Sequence, residues 1–116
     1  MNKEIKEKWL IALRSGNYIQ GRQVLRDSDN KFCCLGVLCD IIDKEAWVAD
    51  DSNRRTPAFT YDGNRAVLPI HVMEITGIEN CFGQLPKNEG PYTSLTNMND
   101  GGKSFEEIAD VIEEYF

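Results

Sequence analysis

"NKFCCLGVLCDIID", residues 30–43, decides how this chain is read, because it packs three of the four cysteines into seven positions. Phe32, Leu35, Val37, Leu38, Ile41 and Ile42 surround Cys33, Cys34 and Cys39. A helix over 33–43 is therefore apolar on nearly every side, and such a helix belongs in the middle of a domain. Gly36 would weaken an exposed helix by about 1 kcal/mol relative to alanine. Its presence predicts that another element crosses closely there.

The cysteines admit two chemical readings besides packing. Each helical residue turns by about 100°, so Cys34 and Cys39 point about 140° apart and Cys33 and Cys39 about 120°. Structural zinc needs ligands that converge, as in a C-x-x-C knuckle. This spacing does not converge, and His71 and Cys81 are the only further candidates. A thiol nucleophile is the second reading. Cys33 or Cys34 at a helix start gains thiolate character from the N–H groups there, and His71 lies downstream as in many thiol hydrolases. Against it, the flanks are bulky and His71 falls inside "PIHVME", whose helix must face the thiol. Core packing is preferred. No catalytic residue, metal or cofactor is assigned.

Working outward, 116 residues predict one domain over 1–116, and 41% apolar residues suffice for a core. No apolar run approaches the ~20 residues of a membrane span, and "MNKEIKEKWL" does not read as a signal peptide. Reduced cysteines and these features predict a cytosolic protein. The net charge of −6 is uneven: residues 1–31 carry +3 and residues 32–116 carry −9. So acidic a chain is a poor binder of nucleic-acid duplexes, which need clustered positive charge. A local arginine pair still suits one small anion.

Along the chain, Ile5, Trp9, Ala12 and Leu13 recur at helical spacing, with Gly16 or Asn17 as the cap. A short extended stretch is expected around 23–26, then a turn at "DSDN". Residues 44–57 read as loop. "AFTYDGNRAVL" reads as a hairpin about Asp62–Gly63. "LPIHVMEITGIEN" reads as a helix with Pro69 near its first turn and Gly77 past its end. Residues 80–91 read as a loop or lid, and "YTSLTNMND" as one helical turn. In "SFEEIADVIEEYF", Ser104 and Glu107 form a capping box and Phe105, Ile108, Ala109 and Ile112 the buried stripe. The expected fold is a small α+β domain, mostly helical, with one β-hairpin or small antiparallel sheet.

Four pieces, "YIQGRQVL" (18–25), "FCCLGVLCD" (32–40), "LPIHVMEITGI" (68–78) and "MNDGGKSFEEIADVIEE" (98–114), give the chain a family likeness. It resembles a group of small proteins encoded by bacteriophages and prophages. Met98 departs from that pattern, which usually has leucine there. The resemblance implies a phage accessory protein acting in the host bacterial cytosol. It brings no activity and no functional residue.

Two stretches carry ligand-binding candidates. Tyr18, Gln20, Arg22 and Arg26 combine a stacking ring with phosphate-pairing guanidinium groups. Asn99, Asp100, Gly101 and Lys103 lead into a helix N-terminus whose N–H groups favour an anion. The alternative for the second stretch is a tight turn with Ser104 as a plain helix cap. Arg54 and Arg55 either reach a phosphate or pair with nearby aspartates. The expected function is a non-enzymatic anti-defence protein that sequesters a small anionic, nucleotide-type signal. A second reading is inhibition of a host enzyme through acidic residues Glu106, Glu107, Asp110, Glu113 and Glu114. Glu114, Tyr115 and Phe116 also offer a contact for a homo-oligomer.

Overall fold

The computed structural model describes residues 1–52 and 55–116. The first helix, α1 (Lys3–Arg14), opens where the Asn2 side chain accepts the Ile5 N–H, and it buries Trp9, Leu10 and Leu13. Three two-residue strands follow: β1 (Ile19–Gln20), β2 (Arg26–Asp27) and β3 (Lys31–Phe32). They lead into α2 (Cys34–Ile42), buried continuously from Cys34 to Asp40. Next come β4 (Trp47–Asp50), β5 (Ala58–Tyr61), α3 (Ile70–Thr76), β6 (Gln84–Glu89) and β7 (Tyr92–Ser94). Two helices, α4 (Leu95–Asp100) and α5 (Phe105–Tyr115), close the chain.

As the opening stretch predicts, α2 is the centre of the core. Trp9 on α1 is fully buried and donates its indole N–H to the Cys34 carbonyl at 2.9 Å. Ile108, Ala109 and Ile112 of α5 complete the apolar cluster with Leu35, Leu38 and Leu95. The capping box of Ser104 and Glu107 is formed, and Gly77 closes α3 at φ 82°. Gly36 lies where β2 begins: a Cβ there would stand 1.8 Å from the Leu25 carbonyl oxygen. No helix among the described residues is long and apolar enough to cross a membrane.

The expectation of a mostly helical domain with one hairpin or small antiparallel sheet is overturned. The molecule is an α+β domain with five helices, a five-stranded mixed sheet and a two-stranded sheet among the described residues. Helices take 39% of the chain and strands 21%, so helix is not the majority. The larger sheet runs β1-β3-β2-β5-β4, with β1 parallel to β3 and the other pairs antiparallel. Strands of two residues show no alternation, so their sequences carry no period to read.

The hairpin itself is also corrected. Tyr61 and Asn64 exchange both backbone bonds at 2.9 Å, and Asp62 and Gly63 take positive φ as a primed turn requires. The chain after Asn64 leaves the sheet, however, and β5 pairs with β4 and β2 instead. Residues 44–57 thus contain strand β4, and the expected lid at 80–91 contains β6, bulged against β7. In β6, "QLPKNE" has no β-branched residue, and Pro86 hides its strand character. The predicted extension at 23–26 splits, with pairing only from Arg26 and with Gln23 at φ 71°.

In register across the larger sheet, Gln20, Phe32, Arg26, Phe59 and Ala49 share one face. On that side Tyr18, Phe32, Trp47 and Tyr61 meet edge to face, with centroids 5.1, 6.0 and 5.1 Å apart. Such pairs add about 0.5–1.5 kcal/mol each beyond their buried area. This ladder joins the short strands to α2.

Replacing Gly36 by alanine forces a methyl group into the Leu25 backbone. Urea unfolding of Gly36→Ala is expected to show a loss of at least about 3 kcal/mol, or no folded state. A loss under about 1 kcal/mol would show that the two segments part easily.

Candidate functional site

The four candidates that lead away from α4 and β1 do converge. Asn99, fully buried, accepts the Cys34 N–H at 3.2 Å and the Gln20 amide at 2.9 Å on Oδ1, and donates from Nδ2 to the Gly21 carbonyl at 2.9 Å. Gln20 also donates to the Lys103 carbonyl at 2.8 Å. Asp100 Oδ1 accepts the Gln23 N–H at 2.9 Å and the Asn99 amide at 3.3 Å. These residues form a polar seam that ties the 20–23 loop to the start of α2 and the end of α4. Its donors and acceptors face each other. Among the described residues no buried side-chain nitrogen or oxygen lacks a partner.

The expected anion nest is consumed in the same way. Gly101, Gly102 and Lys103 donate their N–H groups to the carbonyls of Asn97, Asn99 and Met98 at 2.9, 3.4 and 3.0 Å. They cap the C-terminus of α4. The next N–H, of Ser104, goes to Glu107 at 3.2 Å. That bond first, and Lys103 next, hold the Glu107 carboxyl below its ordinary range. Of the tight-turn alternative the Ser104 cap is found, but Asn99 and Asp100 form the last turn of α4 rather than a tight turn of their own.

Tyr18 and Arg26 stand on the sheet side. The Tyr18 hydroxyl donates to Asp40 Oδ2 at 2.5 Å, and Asp40 Oδ1 accepts the Trp47 indole N–H at 3.0 Å. Burial, then the Asp40 bond, push the Tyr18 phenol far above its ordinary pKa. Arg26 stacks over Phe59 at 4.1 Å, with Phe32 and Trp47 at 5.4 and 5.6 Å. Cation–π contacts of this kind contribute about 0.5–2 kcal/mol depending on desolvation. Its Nε and Nη2 donate to Asn30 Oδ1 at 3.1 and 2.6 Å. Asp40, Trp47 and Phe59 were not found from sequence, since strand pairing and the packing of α2 bring them together, whereas Asn30 sits in the predicted turn four residues from Arg26.

The arginines divide sharply. Arg14 pairs with Asp110 and Glu113 at 2.8 and 3.2 Å, and Arg65 with Asp50 at 3.0 Å. Arg22 and Arg26 have no carboxylate partner among the described residues. Arg22 is exposed, reaches over Gly102, and lines a groove of about 400 Å³ with Gln23, Val24, Asp27, Asp29 and Thr56. Arg54 lies outside the described residues. A larger depression of about 580 Å³, among Gly77, Glu79, Leu85, Pro86 and Tyr115, holds none of the ligand-binding candidates.

Cys33, Cys34 and Cys39 are buried, and burial raises each thiol, Cys33 to about 11. Cys33 Sγ accepts the Gly36 N–H at 3.4 Å as the cap of α2, while His71 is exposed on α3. Among the described residues no group of three His, Cys, Asp or Glu could hold a metal ion. On the acidic helix, Arg14 pairs with both Asp110 and Glu113 and Lys103 with Glu107, so two cations meet three of its five exposed carboxylates, and Glu106 and Glu114 form no ion pair among the described residues. Tyr115 donates to Glu89 at 2.8 Å, and Phe116 packs on the core.

The chain belongs to the family described as "Domain of unknown function (DUF8296)", whose model matches residues 1–116. No curated protein and no solved structure matches it.

Alkylation of the native protein at pH 8 is expected to label half-buried Cys81 and spare Cys33, Cys34 and Cys39; rapid labelling of Cys33 or Cys34 would restore a reactive thiol. The unfolded chain releases thiol protons near pH 9, whereas folded Cys33 holds its own until about 11. The raised folded value therefore contributes stability below pH 9 that declines across that interval, as alkaline denaturation would record. Asn99→Ala strands the Gly21 carbonyl and the Cys34 N–H, and is expected to cost about 2–4 kcal/mol in urea unfolding. A cost near zero would mean that water replaces the amide.

Proposed function

We propose that this protein is a non-enzymatic phage accessory protein that counters host defence by sequestering a small anionic, nucleotide-type signal on Arg22. The observation that carries the reading is the division of the arginines: Arg14 and Arg65 face carboxylates, whereas exposed Arg22 faces a groove without one as an ion pair. The phage origin rests on the sequence resemblance alone.

The groove supports a particular ligand chemistry. Asp27 Oδ1 is occupied by the N–H groups of Asp29 and Lys31, at 2.9 and 3.0 Å, which offsets part of its charge. The Asp29 carboxylate favours hydroxyl or amino donors on the ligand, and Arg22 favours its phosphate. A nucleotide carries both. The polar seam holds the 20–23 loop from behind, so Arg22 is presented on a rigid base while its own side chain stays open to solvent.

A thermal-melt screen of cyclic oligonucleotides, cyclic ADP-ribose isomers and related nucleotides tests the reading. A ligand at a hundred times its Kd adds about 2.7 kcal/mol, which raises Tm by on the order of 10 °C for a domain of this size. Arg22→Ala is expected to remove that shift and leave the ligand-free Tm unchanged. A flat screen of protein confirmed ligand-free by mass spectrometry would overturn the reading. The target would then be sought by pull-down, with charge reversal at Glu106, Glu107 and Asp110.

A further inference from the structure

Arg26 poses a separate question, because a half-buried guanidinium ordinarily meets a carboxylate and this one does not. Its plane is fixed by Phe59 at 4.1 Å and flanked by Phe32 and Trp47. One edge is taken: Nε and Nη2 both donate to the single oxygen Oδ1 of Asn30. Nothing described accepts from Nη1. Since no buried side-chain nitrogen or oxygen among the described residues is unpartnered, Nη1 must open to solvent.

Nearby carboxylates do not fill that edge. Asp40 stands beyond Trp47, where it accepts the Trp47 indole and the Tyr18 hydroxyl and lies 3.7 Å from the Lys44 amine. Asp27, next along β2, projects from the opposite face of the sheet and caps the turn at Asp29 and Lys31. The open edge therefore carries uncompensated positive charge on a guanidinium whose rotamer is already fixed. A fixed planar fork suits an oxyanion that offers two oxygens side by side, and binding it orders no further side chain.

We propose that the Nη edge of Arg26, framed by Phe59, Trp47 and Asn30, is a binding site for a phosphate-type oxyanion, distinct from the Arg22 groove. The site does not depend on Arg22 and stands or falls separately from the sequestering role.

The test is a titration of the full chain with inorganic phosphate, followed by ¹H–¹⁵N NMR at the two indole N–H groups. Trp47 touches Arg26, whereas Trp9 is fully buried and bonded to Cys34, so Trp9 serves as the internal reference. The Trp47 resonance is expected to shift and saturate while Trp9 stays still. Arg26→Lys, which keeps the charge and loses the fork, is expected to abolish saturation; Arg22→Ala is expected to preserve it. Should Arg26→Lys fail to fold, Asn30→Asp places a carboxylate on the same guanidinium and is expected to weaken phosphate by on the order of tenfold. No saturable shift at Trp47, saturation that survives Arg26→Lys or Asn30→Asp unchanged, or loss in Arg22→Ala would each overturn the site.

Discussion

Leu25 crosses α2 at Gly36 with no room for a side chain between them, and most of the molecule takes its position from that crossing. The Leu25 carbonyl accepts the Cys33 N–H at 3.1 Å, and the Leu25 N–H donates to the Arg65 carbonyl at 2.8 Å. One residue thereby joins the helix start to the segment that precedes α3. Immediately after it, Arg26 enters the sheet between β3 and β5. A Cβ at position 36 would push this strand outward by more than an ordinary packing adjustment can absorb, because the atom it meets is backbone. The polar seam depends on the same distance. Asn99 spans from the Cys34 N–H to the Gly21 carbonyl, and it does so only while the 21–25 segment lies against α2.

That seam explains why the glycine-rich entry to α5 is not an open anion nest. A loop between two helices faces two demands, since the first helix ends with unpaired carbonyls and the second begins with unpaired N–H groups. Here the loop N–H groups turn back to α4, and the Ser104–Glu107 box closes α5. Asn99 and Asp100 then use their side chains on Cys34, Gly21 and Gln23. Buried polar groups so fully paired favour one arrangement of the segments strongly, because any shift leaves several of them unsatisfied at once.

How much of this was legible follows from the range of each interaction. Helices announced themselves by local means: apolar spacing in α1 and α5, the capping box, Gly77 after α3, and the demand Gly36 makes for a close neighbour. The five-stranded sheet did not, since β1, β2 and β3 are two residues long and their partners are chosen by the crossing at Leu25. The Asp62–Gly63 turn was readable, yet the choice of β4 over the following chain was not, because turn chemistry fixes the reversal and not the pairing. The candidate site was legible as a set of polar residues at loops and helix ends. Gln20, Asn99 and Asp100 do meet. What sequence withheld is that their hydrogen-bonding capacity is used on one another, and that Arg26 is stacked on Phe59 rather than free.

Charge then separates the two guanidinium groups from the rest of an acidic surface. The net charge of −6 disfavours non-specific attraction of an extended polyanion, which rests on clustered positive charge. A small phosphate-bearing ligand experiences a different balance. At physiological ionic strength, exposed charges more than about 8 Å away are largely screened, and the nearest groups dominate. Arg22, with no carboxylate in contact among the described residues, and Arg26, held on its aromatic platform, are the charges on which the proposed anion binding rests. Among the described residues, Arg14 on α1 and Arg65 near β4 are paired with carboxylates, whereas Arg22 and Arg26 form no ion pair.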